Sequence, residues 1–361
     1  MHVVCLTEYL QKITCDIRLG IMLKRLTLLG SALCFWVSLF AHAEPIKLAD
    51  DAPSEYVVVK GDTLWDIAAR FLKSPWLWPK VWDVNTQIYN PHLIYPGDLI
   101  YLYFEGDQPK LGRKPRTVVL TPSVKVVSRT AAIPTIPLRD IKAFLNDSDV
   151  VSADLYDAAP YILGGKNQRI LAATGDRVYA RGEPLSDRSQ QTVYRPLKPY
   201  VDPNTQELLG YELHRVANAR VYDAKEGLMT LDIGLNVEEI RVKDLVIPGS
   251  ETPLETRFMP QSGIELDNAE IIAVLNGVSN IGQFDSVTVN SGVREGLAPG
   301  DVYAIYRRGE TIRDPKTGEM LRLPSERSGE LMIYKVFDKV SYALVMRARD
   351  TIKVGDELRV P

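Results

Sequence analysis

Residues 56–72 read YVVVKGDTLWDIAARFL, and their hydrophobic period changes from two to about 3.6 at a single Gly-Asp-Thr step. Residues 56–59 have strand propensity, and Gly61 permits a sharp exit. Asp62 or Thr63 can accept the orphan N–H groups of a following helix, with Asp66 completing a Thr-x-x-Asp capping box. Leu64, Ile67, Ala68 and Phe71 then fall at i, i+3, i+4 and i+7. The stretch predicts a strand, a tight turn and a helix that packs one apolar stripe on a partner.

Pro75 and Pro79 bracket a break, and Pro79 can open a second short helix through Val81, Trp82 and Asn85. Asn90-Pro91 and Pro96-Gly97 are turn signals, and residues 98–103 return as a strand. The unit therefore spans 54–104 with the order strand, helix, helix, strand. Residues 105–117, EGDQPKLGRKPRT, show no periodicity and carry the basic side chains Lys110, Arg113, Lys114 and Arg116. They read as a linker, either a solvated tether or a segment that docks on an acidic surface. From Val118 onward the signals are mostly β, short Val, Ile, Leu and Tyr runs separated by Gly, Pro, Asp and Asn.

Four matches organise that region in the same order. Gly175-Asp176-Arg177-Val178-Tyr179-Ala180 recurs as Gly300-Asp301-Val302-Tyr303-Ala304, and DPNTQELL at 202–209 recurs as DPKTGEML at 314–321. GYELHRVANARV at 210–221 matches GELMIYKVFDKV at 329–340, and IRVKD at 240–244 matches IKVGD at 352–356. Asp-Pro-x-Thr starts a turn because Pro presets φ while Asp caps the first position. The expectation is two related β modules at 118–248 and 268–361, joined by a flexible segment at 249–267 that is rich in Pro and Gly.

Upstream, Lys24 and Arg25 precede an apolar run at 26–40, and Ala41-His42-Ala43 supplies the small residues that signal peptidase needs. Residues 1–43 are read as a signal peptide cut after Ala43, with Met22 a possible true start. The run is shorter than the roughly 20 residues of a spanning helix, which disfavours a retained anchor. Leu33 before Cys34 disfavours a lipobox. Cys5, Cys15 and Cys34 all lie upstream of the cut, so the exported chain has no thiol for a disulfide, a nucleophile or a metal. Its 39 basic and 44 acidic residues argue against a nucleic-acid binder.

The 56–102 stretch resembles a LysM domain, through residues 56–68, Asn85, Asn90-Pro91 and Ile94-Tyr95-Pro96-Gly97-Asp98. The resemblance implies a small α+β (βααβ) fold that binds N-acetylglucosamine polymers, in bacteria the glycan of peptidoglycan. It also implies a groove lined by Gly61, Asp62, Thr63 and Leu64 on one side and by Pro91, His92, Leu93 and Ile94 on the other. The chemistry fits, because a neutral amido sugar needs backbone donors and acceptors in a shallow groove more than it needs charge. PWLWPKVW is richer in tryptophan than the usual pattern, and all four tryptophans downstream of residue 43 lie here. Trp65 and Trp82 are expected in the core, and Trp76 and Trp78 either in the core or stacked on a sugar. His92 is expected to fix its loop or to bond a glycan hydroxyl. Asp62 reads as a cap rather than a catalytic acid.

Catalysis is disfavoured. No thiol is available to a cysteine hydrolase, and the only downstream histidines, His92 and His214, lie in different segments with no zinc spacing and no Gly-x-Ser-x-Gly elbow. A carboxylate pair of the lysozyme type remains open by residue type alone, without a helical lysozyme-like pattern. No cofactor or metal is expected. The signal peptide, the WLWP insert, the run AIPTIPL at 132–138 and a terminal β region are together similar to the type IV pilus secretin-associated LysM proteins, the TsaP family. DSVTVNSGVREGLAPGD at 285–301 is similar to the terminal domain of a flagellar ring protein. These resemblances imply a periplasmic protein that binds peptidoglycan and anchors an outer-membrane secretin to the wall. The alternatives are a wall-bound scaffold for a flagellar or other envelope complex, or a peptidoglycan hydrolase.

Overall fold

The computed structural model describes residues 46–82, 94–114, 134–136, 148–166, 169–186, 189–249, 258–275 and 281–361. The proposed leader with its cut after Ala43, Asn85, Asn90, Pro91, His92 and Leu93 lie outside the described residues. Thr63 caps the first helix, α1 (Leu64–Phe71). Its hydroxyl accepts from Asp66 N–H at 3.1 Å, while the Asp66 carboxylate accepts from Thr63 N–H at 3.1 Å. Such a cap stabilises a helix start by about 1 kcal/mol. The stripe read from the sequence is buried, and Trp65 joins it. Pro75 then opens a 3₁₀ turn (Pro75–Leu77) that leads into α2 (Trp78–Val81), where Pro79 sits in the first turn and its missing N–H leaves no helical bond unmade.

Strand β1 (Glu55–Val57) pairs antiparallel with β2 (Leu99–Glu105), and β2 pairs with β3 (Gln108–Lys114) along its whole length. Residues 105–117 are thus not a tether in their described part. Gly106, at φ +62°, turns the chain back, and Pro109 sits on an edge strand, where a missing N–H is tolerated. Leu111 is buried opposite Leu102, and Arg113 reaches the Asp98 carboxylate at 3.4 Å. Lys114 lies 4.8 Å above the Tyr101 ring. Gly112 is needed for close approach, because a Cβ there would fall 2.4 Å from the Tyr101 ring. Gly112→Val is expected to destabilise the unit by about 1–3 kcal/mol. The measurement is a melt followed by tryptophan emission, which in the chain beyond residue 43 reports on this unit alone.

The rest of the described chain is mainly β. Strand β4 (Ser148–Val151) and helix α3 (Ala153–Ala158) precede six strands: β5 (Tyr161–Gly165), β6 (Arg177–Arg181), β7 (Gln190–Val201), β8 (Leu208–Lys225), β9 (Leu228–Asn236) and β10 (Leu245–Pro248). Antiparallel pairing runs β5, β6, β9, β8, β7, β10 and returns to β5, so the sheet closes into a barrel, with β4 added beside β8. Val178, Val193, Val216, Leu231 and Val246 are among the residues that fill it.

A second set follows: β11 (Ile271–Val274), β12 (Ser286–Val289), β13 (Asp301–Arg307), β14 (Glu326–Val336), β15 (Ser341–Ala348) and β16 (Glu357–Arg359). Pairing runs β11, β12, β15, β14, β13, β16. The ring closes where Leu358 N–H donates to Ala269 O at 2.8 Å and Ile271 N–H to Asp356 O at 3.0 Å. Its core includes Tyr303, Ile305, Leu331, Ile333 and Val345, each fully buried. Residues 311–313 and 320–322 form an exposed hairpin between β13 and β14. The segment read as a flexible joint is not loose at its described end: Phe258 is buried, and residues 261–262 pair in parallel with 301–302.

One local device recurs seven times among the described residues. An Asp accepts the N–H of the residue three positions earlier and returns its own N–H to that residue's carbonyl, at Asp62, Asp98, Asp176, Asp244, Asp285, Asp301 and Asp356. The residue before each Asp has positive φ, and five of the seven are glycine. That is the third position of a type II turn. The Gly-Asp match at 175 and 300 is therefore one instance of a turn used throughout. It also falls on β6 in the first barrel and β13 in the second, which occupy different places in the two rings.

The two barrels are joined by polar contacts. The turn after β7 carries Asp202, whose carboxylate accepts from Asn290 Nδ2 at 2.8 Å, and Asn204, which donates to Glu270 at 2.7 Å. Glu207 meets Arg294 and Lys339 at 2.9 and 2.7 Å, and Lys335 pairs with Asp149 at 3.1 Å. Residues 47–361 form one compact unit. Within it Arg327, from β14, lies 5.8 Å from the Trp76 ring.

Candidate glycan-binding site

Two of the Asp-closed turns stand side by side in the first unit, 59–62 and 95–98. Val58 clips them together, donating its N–H to Asp98 O at 2.9 Å and accepting from Gly97 N–H at 2.8 Å. Gly61, exposed and at φ +105°, and Gly97, at φ +97°, supply the backbone conformation that each bend requires. The Asp62 carboxylate accepts from Val59 N–H at 2.8 Å and from the Tyr56 hydroxyl at 2.9 Å. Asp62 thus closes its own turn, and Thr63 caps the helix. Burial and the neighbouring Asp62 push the Tyr56 phenol above its ordinary pKa.

The expected groove residues separate by role. Gly61 and Asp62 are at the surface of the bend, whereas Thr63 and Leu64 have their side chains buried. Ile94 is fully buried, so its side chain belongs to the core rather than to a groove wall. Pro91, His92 and Leu93 lie outside the described residues. All four tryptophans of the described residues are buried, Trp65, Trp76, Trp78 and Trp82 being 6% exposed or less. For Trp76 and Trp78 this settles the choice between core and sugar platform in favour of core. Burying the indoles gives a unit this small a large part of its apolar interior, beside Leu64, Ile67, Phe71, Leu72, Ile100 and Leu111.

What the bend offers is backbone. The first N–H groups of a helix have no partner within it, and the helix dipole makes them strong donors. Thr63 satisfies Asp66 N–H, which leaves Leu64 N–H and Trp65 N–H. Both are taken by the chain itself: Leu64 N–H donates to Pro134 O at 3.0 Å and Trp65 N–H to Thr135 O at 3.2 Å. Ile136 is fully buried beside them in sequence. Two such bonds contribute about 0.5–1.5 kcal/mol each net, and a buried Ile about 1.5–3 kcal/mol. The residues that occupy the site, 134–136, fall in the AIPTIPL run, but nothing local in that run tells where it docks.

His214 is on β8, with Nε2 3.4 Å from Glu238 Oε1, while the other carboxylate oxygen, Oε2, pairs with Arg195. Among the described residues no group of three or more His, Cys, Asp and Glu is arranged to hold a metal ion. No described helix is long and apolar enough to cross a membrane.

The LysM domain family model matches residues 56–102. A curated relative, "Uncharacterized protein YqbP" of Bacillus subtilis (strain 168), is 43% identical over 56 residues, 13% of this chain and 26% of that protein. The chain thus spans about a quarter of that relative's length. The strand, capped helix, second helix and returning strand, with two clipped bends between them, coincide with the matched span. Residues 56–102 are a LysM domain, the kind of module that binds peptidoglycan and related carbohydrate.

Proposed function

We propose that the chain is a non-catalytic envelope protein whose LysM domain grips the N-acetylglucosamine-containing glycan of peptidoglycan while its barrels dock a protein partner. The observation that carries this reading is the LysM match at 56–102, laid over a bend whose helix-start N–H groups at Leu64 and Trp65 have no partner within the helix and are met by carbonyls from outside it. The acetamide carbonyls of the glycan are suitable acceptors for Leu64 and Trp65. In this reading the chain is exported to the periplasm by a leader cut after Ala43. The partner is the type IV pilus outer-membrane secretin, as the resemblance to the TsaP family implies. A wall-bound domain and a partner-bound barrel pair in one chain raise the local concentration of each attachment relative to the other.

The two barrels are proposed to be duplicated modules. Their strands pair in the same cyclic order, and three of the four sequence matches fall at equivalent places: the turn after the third strand, the fourth strand and the lead into the sixth. In the second, the hairpin that bears the matched turn carries Ile312, Met320 and Leu321 exposed. It is the first surface to delete in a search for partner contacts.

Sedimentation with insoluble peptidoglycan tests the wall contact. The full chain is expected in the pellet and a chain lacking residues 56–103 in the supernatant; equal distribution of the two refutes the reading. Incubation with purified wall material is expected to release no soluble sugar or peptide, and release returns the hydrolase alternative. Crosslinking in cells is expected to recover a secretin. Recovery of another envelope complex in its place favours the general scaffold.

A further inference from the structure

We propose that Pro134, Thr135 and Ile136 form an internal strap that competes with glycan for the LysM site, so that the domain is closed by its own chain until a saccharide displaces it. The inference rests on the glycan-binding reading above and adds a regulatory contact to it. Leu64 N–H and Trp65 N–H are the two donors the capped helix leaves open, and the strap's two successive carbonyls fill both. An amide carbonyl is also what an N-acetyl group presents. Strap and saccharide therefore ask for the same two hydrogens, and one excludes the other.

Among the described residues the strap is held by these two bonds and by the buried Ile136 side chain. One feature argues that it is a displaceable occupant: Thr135 Oγ1 is buried without a hydrogen-bond partner among the described residues. A buried hydroxyl left unpaired opposes docking, and release of the strap returns it to water. When a binding-competent form is only a fraction of the population, apparent affinity falls by that fraction. Loosening the strap should therefore tighten binding, the reverse of what removing a ligand contact does.

The test compares the full chain with Ile136→Ala and Ile136→Asp, using chitopentaose and purified peptidoglycan as probes. Calorimetry should give a Kd at least tenfold lower for Ile136→Asp, with Ile136→Ala between it and the parent. Hydrogen exchange at the Leu64 and Trp65 amides should be faster in both free variants and slow again on adding chitopentaose. Amides of β14 serve as the folding control and should not change. Equal Kd values in all three chains, or weaker binding by the variants with β14 intact, overturn the strap. If none of the three binds either probe while exchange at Leu64 and Trp65 still accelerates, the glycan reading fails, and with it the competition, leaving a structural contact only.

Discussion

Trp78→Ala should cost about 3–5 kcal/mol, the usual range for emptying a large aromatic site in a core. Trp78 is 1% exposed and opens α2, and Trp76 beside it is 2% exposed. A unit of roughly 60 residues holds only about 3–9 kcal/mol in total. The substitution should therefore unfold the LysM domain or bring it to the edge of unfolding at 37 °C. The remaining tryptophans should shift their emission to the red, and peptidoglycan sedimentation should be lost. The β signal of the barrels should persist, since their cores share none of these side chains. A sugar platform would behave otherwise: Trp78→Ala would abolish sedimentation and leave the emission and the melt unchanged. That outcome would refute the core assignment.

The parts of the fold legible in sequence were those set by local rules. The Gly61 to Phe71 stretch carries its turn, its cap and its stripe within a dozen residues, and each is found where the pattern puts it. β3 was missed because it points few apolar side chains inward. Leu111 is its only large one, Pro109 argues against a strand, and the basic residues suggested a solvated tether. What makes it a strand is non-local, the full-length pairing with β2 and the Tyr101 ring lying over Gly112. The Gly-Asp match at 175 and 300 misled for the opposite reason, since a strong local signal recurs wherever a type II turn precedes a strand. In the site, Gly61 and Asp62 were readable as a bend. Ile94 was not readable as core, and residues 134–136 as the occupants of Leu64 and Trp65 lie 70 positions downstream of their partners. No periodicity carries a contact of that kind.

Asn290→Ala is expected to weaken the junction of the barrels and to change how it responds to acid. The Asn290 side chain donates to Asp202 at 2.8 Å and to Asn268 O at 3.1 Å, and it accepts from Glu270 N–H at 2.8 Å. Its loss leaves a buried N–H unpaired and a carboxylate with fewer donors, at about 1–3 kcal/mol for each buried group left unsatisfied. Burial alone would raise the Asp202 carboxyl, but Thr205 N–H, Asn290 and Asn204 N–H outweigh it and hold the group below its ordinary 3.8. Lys339 and Arg294 likewise hold Glu207 below its ordinary 4.5. A carboxyl with a lowered folded pKa contributes stability that is whole above the unfolded value and is lost as pH falls through the folded one. Glu270 has the other sign: desolvation outweighs Arg308 and Asn204 and raises it, so its protonation on acidification adds stability. The parent chain should therefore keep or slightly raise its Tm from neutral pH down to about 4.5 and lose it below about 3.8. In Asn290→Ala the Tm should be lower at neutral pH and the acid limb shallower, because Asp202 returns toward its ordinary value and has less to lose. Melts at pH 7, 4.5 and 3 followed by far-ultraviolet dichroism measure both effects. Parallel curves for the two chains would mean that the Asn290 to Asp202 bond carries no part of the acid response, and that the junction rests on its other contacts.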